Sequence, residues 1–146
     1  MHLTAHFTYE ELIASDIALR RGLDNTPAPE EVSNLVKLAR GLEQVRSLLG
    51  HPMDVRSGYR SKAVNDAVGS SDNSHHRLGL AADFVCPGFG PPKEVCKAIR
   101  DSDIEYNQLI YEGTWVHISF ADPVGRKSIL TAHFGPGGVS YTEGIV

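Results

Sequence analysis

Residues 80–86, Leu-Ala-Ala-Asp-Phe-Val-Cys, read as a buried strand, and one of them is an aspartate. Successive strand residues face opposite ways, so Asp83 shares a face with Ala81 and Val85, while Leu80, Ala82 and Phe84 take the other. Burying an ionised carboxylate costs on the order of several kcal/mol unless it is paired or coordinated. Whatever fold the chain adopts must therefore bring a capping group, an ion-pair partner or a metal to Asp83. The small side chain of Ala81 leaves the same face open beside it.

The rest of the chain supplies helices first and strands later. Thr8 and Glu11 have capping-box spacing, with Phe7 and Leu12 placed for a hydrophobic staple, so "FTYEEL" opens a helix. After the proline-containing turn "DNTPAPEE", the apolar residues Val32, Leu35, Val36, Ala39, Leu42, Val45 and Leu49 recur at helical spacing, and Gly50 closes that helix. "MDVRS" reads as a short strand, "KAVNDAV" as a short helix and "PPKEVCKAIRDS" as a helix with proline in its first turn. "NQLIYEGTWVHISF" reads as two strands around Gly113 and Thr114. The glycine-rich tail, 135–146, offers little to a core and is expected to pack loosely and fray. The pattern predicts one α+β domain over residues 1–146, a central antiparallel sheet with helices packed on one side.

A two-residue Gly-Thr loop pairs Glu112 with Trp115 and therefore Ile110 with His117. Glu112, Trp115, His117 and Ser119 then lie on one sheet face, with Glu112 and His117 diagonal neighbours roughly 7 to 8 Å apart at the backbone. Taken singly, such residues are ordinary: a strand histidine is usually hydrogen-bonded in a core, and a glutamate beside a turn is usually solvated. Two imidazoles and a carboxylate together are the ligand set of an open zinc site, which keeps a fourth position for water. A dication bound to Asp83 accounts for a carboxylate in that strand.

Composition narrows the alternatives. With 146 residues, 41% hydrophobic, the chain is long enough to bury one core. A formal charge of −4 and the absence of basic runs argue against a nucleic acid or an anionic membrane as partner. Cys86 and Cys96 have no metal-ligand spacing and are expected to be reduced and buried. No signal peptide or membrane span is evident, so the protein is expected to be cytoplasmic at synthesis and monomeric.

The segment "SHHRLGLAADF" fits the pattern S-x-H-x-x-G-x-A-x-D, with Ser74, His76, Gly79, Ala81 and Asp83 in the fixed places. With "WVHISF" downstream and "SGYRS" at 57–61, the chain resembles the zinc D-Ala-D-Ala carboxypeptidases and phage endolysins. That family is related to the vancomycin-resistance dipeptidases and, more distantly, to the amino-terminal domain of Hedgehog proteins. The resemblance runs from "FTYEEL" to about Ala132. It implies that His76, Asp83 and His117 bind one zinc ion and leaves His75 without a role. It also implies a general base a few residues before the last histidine, and Glu112 is the only acidic residue between Glu105 and His117. The glutamate-to-histidine spacing here is five, against three in many E-x-x-H members. Arg60 matches an arginine that stabilises charge on the scissile carbonyl in the related dipeptidases. Ser74 is expected to orient the substrate or a ligand, and Trp115 to serve as a packed aromatic or a substrate platform. His2, His6, His51 and His133 fit no ligand spacing.

The implied activity is hydrolysis of peptide bonds in peptidoglycan stem peptides or cross-bridges, by a carboxypeptidase or an endolysin-type endopeptidase using a metal-activated water. Peptidoglycan peptides would be the partner, met after release to the cell wall or as part of a phage particle. The alternative is an inactive, metal-stabilised binding module or structural phage component of the same fold.

Overall fold

The computed structural model describes residues 1–146. Its first helix, α1 (Tyr9–Ile13), carries the expected capping box: the Glu11 amide donates to Thr8 Oγ1 at 3.1 Å, and Glu11 Oε1 accepts from the Thr8 amide at 2.8 Å. Phe7 and Leu12, the two ends of the staple, are both fully buried. A short α2 (Asp16–Arg21), which the sequence pattern had not marked, is capped by Ser15. The long α3 (Pro29–Leu49) ends on Gly50 in the left-handed conformation. The apolar stripe of α3 buries Leu35, Leu38, Leu42 and Val45, and α5 (Pro92–Arg100) buries Val95, Cys96 and Ile99.

Both helices cover one face of a six-stranded sheet in the order β1-β2-β4-β3-β5-β6. The strands are β1 (Asp54–Ser57), β2 (Ala81–Val85), β3 (Gln108–Tyr111), β4 (Val116–Ser119), β5 (Ser128–Gly135) and β6 (Gly138–Glu143). Ala82 and Phe84 of β2, Val116 and Ile118 of β4 and Leu109 of β3 meet the helices in a single core. α3 sits so close to the sheet that a Cβ on Gly41 would lie 2.6 Å from the Phe120 ring. Alternation then sends Asp83, His117 and Ser119 to the opposite face. There α4 (Lys62–Ala67) and a 3₁₀ turn at His75–Leu78 cover one end.

The sheet is mostly antiparallel, as expected, with one exception: β3 and β5 run parallel, from Gln108↔Ser128 to Tyr111↔Thr131. β4 ends beside the start of β3, so the link 120–127 needs only to pass that end before β5 sets off in the same direction as β3. The tail, expected to pack loosely, is instead a strand: Gly138–Glu143 pair with β5 at six positions. Thr131 Oγ1 donates to the Gly144 carbonyl at 2.7 Å and accepts from the Val146 amide at 3.1 Å. Every residue of β6 is exposed, so backbone pairing rather than apolar burial orders it, and hydropathy carried no sign of it.

Candidate metal centre

The geometry begins with the β3–β4 turn. The Glu112 amide donates to the Trp115 carbonyl at 3.1 Å, and Ile110 pairs with His117 as the two-residue loop requires. Gly113 has φ +81°, and the Thr114 amide donates back to the Glu112 carbonyl at 3.0 Å, a γ-turn geometry suited to glycine. On the other edge of β4, His117 lies directly opposite Asp83 of β2. The sheet alone thus fixes two of the expected ligands as cross-strand partners.

The third comes from the 3₁₀ turn. Ser74 caps it, its Oγ accepting from the His76 amide at 3.3 Å, and Gly79 ends it in the left-handed conformation. His76 is buried, and its Nδ1 donates to the Gly58 carbonyl at 2.7 Å. That bond leaves the Nε2 lone pair facing Asp83 Oδ1 at 3.3 Å, while His117 Nδ1 lies 2.9 Å from the same oxygen. The ligand atoms of His76, Asp83 and His117 all fall within 4.8 Å of one another.

Burial pushes the His76 imidazole below its ordinary pKa despite Asp83, favouring the neutral ring. A neutral nitrogen lone pair and a carboxylate oxygen at 3.3 Å are two acceptors with no proton between them, an arrangement that a bound cation completes. Burial by itself would raise the Asp83 carboxyl, but positive charge on the two facing imidazoles, when they are protonated, outweighs it and holds the group well below the usual carboxylate range; with His76 neutral, that cationic role falls to a bound metal. Two nitrogens, one oxygen and a hydrogen-bonded ligand imidazole fit a divalent metal with an open position.

"SGYRS" proves to be the frame of this centre. Gly58 supplies the acceptor for His76, and a Cβ there would lie 2.3 Å from the Leu12 carbonyl oxygen, so only glycine fits. Tyr59 donates from its amide to that same carbonyl at 2.8 Å and from its hydroxyl to Glu31 at 3.0 Å. Ser61 caps α4. Arg60 donates from Nη2 to Asp83 Oδ2 at 3.3 Å and from Nε to Ser57 Oγ at 3.2 Å. Its first structural partner is therefore the ligand carboxylate.

The three ligands open into a cavity of about 800 Å³ that Arg60, Ser74, Glu112 and Trp115 also line. Glu112 touches none of the ligands by hydrogen bond; its Oε2 accepts from Trp115 Nε1 at 3.2 Å. Burial, and secondarily the negative charge of Asp83, raise the Glu112 carboxyl above its ordinary pKa, while His117, Trp115 and Arg60 oppose the rise. Trp115 also packs against Phe134, their ring centroids 6.2 Å apart.

Other groups lining the cavity had no assigned role in the sequence: His75, Gln108, Arg126, Val139 and Tyr141. Only His75 stood inside a recognisable motif, as the unspecified position of S-x-H. The remaining histidines are elsewhere: His6 pairs with Glu43 at 2.7 Å and His133 with Thr142 at 2.8 Å. Cys86 and Cys96 are free and buried, and burial pushes the Cys96 thiol up to about 12. No helix is long and apolar enough to cross a membrane.

The family model described as Peptidase M15 matches residues 5–119, a span that contains all three ligands, Glu112 and Arg60. No curated protein matches the chain.

Proposed function

Because the chain belongs to the peptidase M15 family, we propose that it is a zinc-dependent hydrolase of peptide bonds in bacterial peptidoglycan, acting on stem peptides or cross-bridges. The observation that carries this reading is the convergence of His76, Asp83 and His117 on one point in a groove that also receives Glu112.

His76, Asp83 and His117 would hold the zinc ion, which when bound would supply Lewis acidity toward a water and the scissile carbonyl. Glu112 takes the proton of the attacking water as the C–O bond forms. It returns that proton to the amine as the C–N bond breaks, leaving a carboxylic acid and an amine, which become a carboxylate and an ammonium once the acid's proton passes to the amine. Its raised pKa brings its proton affinity closer to that of the groups between which the proton moves, and Trp115 fixes its orientation. Arg60 anchors the outer oxygen of Asp83, and its remaining nitrogen, Nη1, is the donor for charge developing on the carbonyl oxygen. Ser74 serves the site through the His76 amide, and Trp115 forms part of the wall against which a substrate lies. The enzyme works as a monomer and meets its substrate at the cell wall.

Purified muropeptides incubated with the wild type and with Glu112→Ala at equal zinc occupancy, with products identified by mass, test this reading. Cleavage by the wild type alone is expected. Equal cleavage by both would remove Glu112 from the mechanism, and binding without cleavage by either would identify a metal-stabilised binding module.

A further inference from the structure

We propose that the end of the groove farthest from Trp115 is a carboxylate-binding subsite centred on Arg126, with Gln108 and His75 as polar partners, and that it holds a free carboxylate of the substrate peptide. This rests on the peptidase reading above and adds the substrate feature that the same groove selects.

The groove has a direction. On the face carrying the metal ligands, Ile110 pairs with His117 and Gln108 pairs with Ser119. Gln108 thus lies two residues along the strand from the ligand, roughly 7 Å at the rise of an extended chain. Ser128, the partner of Gln108 on β5, follows Arg126 by two residues, so the link 120–127 brings Arg126 to this same end. At the opposite end stand Glu112, Trp115 and Tyr141. A peptide lying extended along β4 with its scissile bond at His117 would place a group one or two residues away at Arg126.

The chemistry of this end favours an anion. Of the two arginines lining the cavity, Arg60 is paired with Asp83 and keeps only Nη1 for the scissile carbonyl, whereas Arg126 is paired with no carboxylate. Ser119 Oγ accepts from the Ala121 amide at 3.2 Å and bonds His75 Nδ1 at 2.6 Å. When the Ser119 hydroxyl is the donor in that bond, His75 presents Nε2–H as a donor, and that nitrogen has no partner within the protein. The Gln108 amide is likewise unengaged and can add a further N–H. A guanidinium flanked by two neutral donors is suited to a carboxylate, which accepts at both oxygens. The concentration of donors is local, since the chain as a whole carries a net charge of −4.

Arg126 also lies beyond residues 5–119, the span matched by the family model. The hydrolytic residues thus fall within the matched span and this selecting group outside it.

A peptidoglycan stem offers two such carboxylates, the chain terminus and the α-carboxylate of a γ-linked D-glutamate. Three synthetic probes separate them: L-Ala-γ-D-Glu-L-Lys-D-Ala-D-Ala, its carboxy-terminal amide, and its D-isoglutamine counterpart. Affinities are measured by calorimetry on zinc-loaded Glu112→Gln protein, and cleavage is followed with the wild type. One of the two amides is expected to bind about tenfold more weakly than the parent acid, identifying the carboxylate that is held. Adding Arg126→Gln should make that amide and the acid bind alike, with Arg126→Lys recovering part of the difference. Equal affinity for all three probes, or discrimination that survives Arg126→Gln, would overturn the subsite. Arg126-dependent discrimination without cleavage by the wild type would leave the subsite standing and overturn the peptidase reading; cleavage without discrimination would do the reverse.

Discussion

His76 Nδ1 donates to the Gly58 carbonyl at 2.7 Å, and the Gly58 Cα rests against the Leu12 carbonyl so closely that no side chain can stand there. The orientation of a ligand imidazole is therefore set by a backbone contact between α1 and the segment after β1. Gly58→Ala must displace one or the other. It is expected to cost about 1–3 kcal/mol of stability and to weaken metal binding about 10- to 100-fold through the lost alignment of His76. Denaturant unfolding and a zinc competition titration read the two effects separately. Unchanged metal affinity in a destabilised variant would show that His76 keeps its aim without Gly58.

Asp83 faces two ways, with Oδ1 beside the candidate ligands His76 and His117 and Oδ2 accepting from Arg60. In the metal-free protein, Asp83→Asn leaves Arg60 without its ion-pair partner and is expected to cost about 3 kcal/mol, the lower range for breaking a buried pair. Zinc at a hundredfold excess over Kd should stabilise the wild type by about 2.7 kcal/mol, which raises Tm by about 5–10 °C for a chain of this size. Asp83→Asn should show little of that rise. Thermal melts with zinc and with chelator make the comparison.

Trp115 Nε1–H donates to Glu112 Oε2 and so favours the ionised carboxylate, against the burial that raises its pKa. Trp115→Phe keeps an aromatic ring beside Phe134 but removes the donor. The Glu112 pKa should then rise further. Because the base must be ionised to accept a proton, activity is lost as pH falls through that pKa, and the acid limb of kcat/KM should move to higher pH in the variant. A pH–rate profile for each protein tests this; a limb that stays in place would belong to another group.

Thr131 is buried and bonds both the Gly144 carbonyl and the Val146 amide. Thr131→Val preserves shape and deletes both bonds, with an expected cost of about 1–2 kcal/mol. The loss should be local, appearing as faster hydrogen exchange at the Gly144 and Val146 amides while those of β2 and β4 remain protected. Uniform acceleration would mean instead that the terminal segment unfolds only with the whole domain.

These four relationships also mark how far the sequence could be read. Capping residues, helical periodicity and strand alternation act between near neighbours, and they located α1, α3, β2 and the β3–β4 turn. They also put Glu112 and His117 on one face, because period two and a two-residue loop leave little freedom, whereas the pairing of β2 with β4 that sets Asp83 opposite His117 was not legible. The Gly58 carbonyl, by contrast, is a backbone group whose role depends on α1 arriving from far along the chain. Arg60 was singled out only through the family resemblance or as an ion-pair partner, and its bond to Asp83 follows from the shifted β1–β2 register, which sets Ser57 opposite Asp83. Neither β5 nor β6 was read from the sequence: β6 buries no side chain, and nothing local foretells that β5 forms and runs parallel to β3.

Alternation along β2 and β4 has one more consequence. Each ligand in these strands has core residues for its immediate neighbours: Ala82 and Phe84 around Asp83, Val116 and Ile118 around His117. Sliding β2 by a single position would carry a carboxylate into the oil and a phenyl ring out toward His76 and His117. The packing that stabilises the sheet therefore selects the same register that gathers His76, Asp83 and His117.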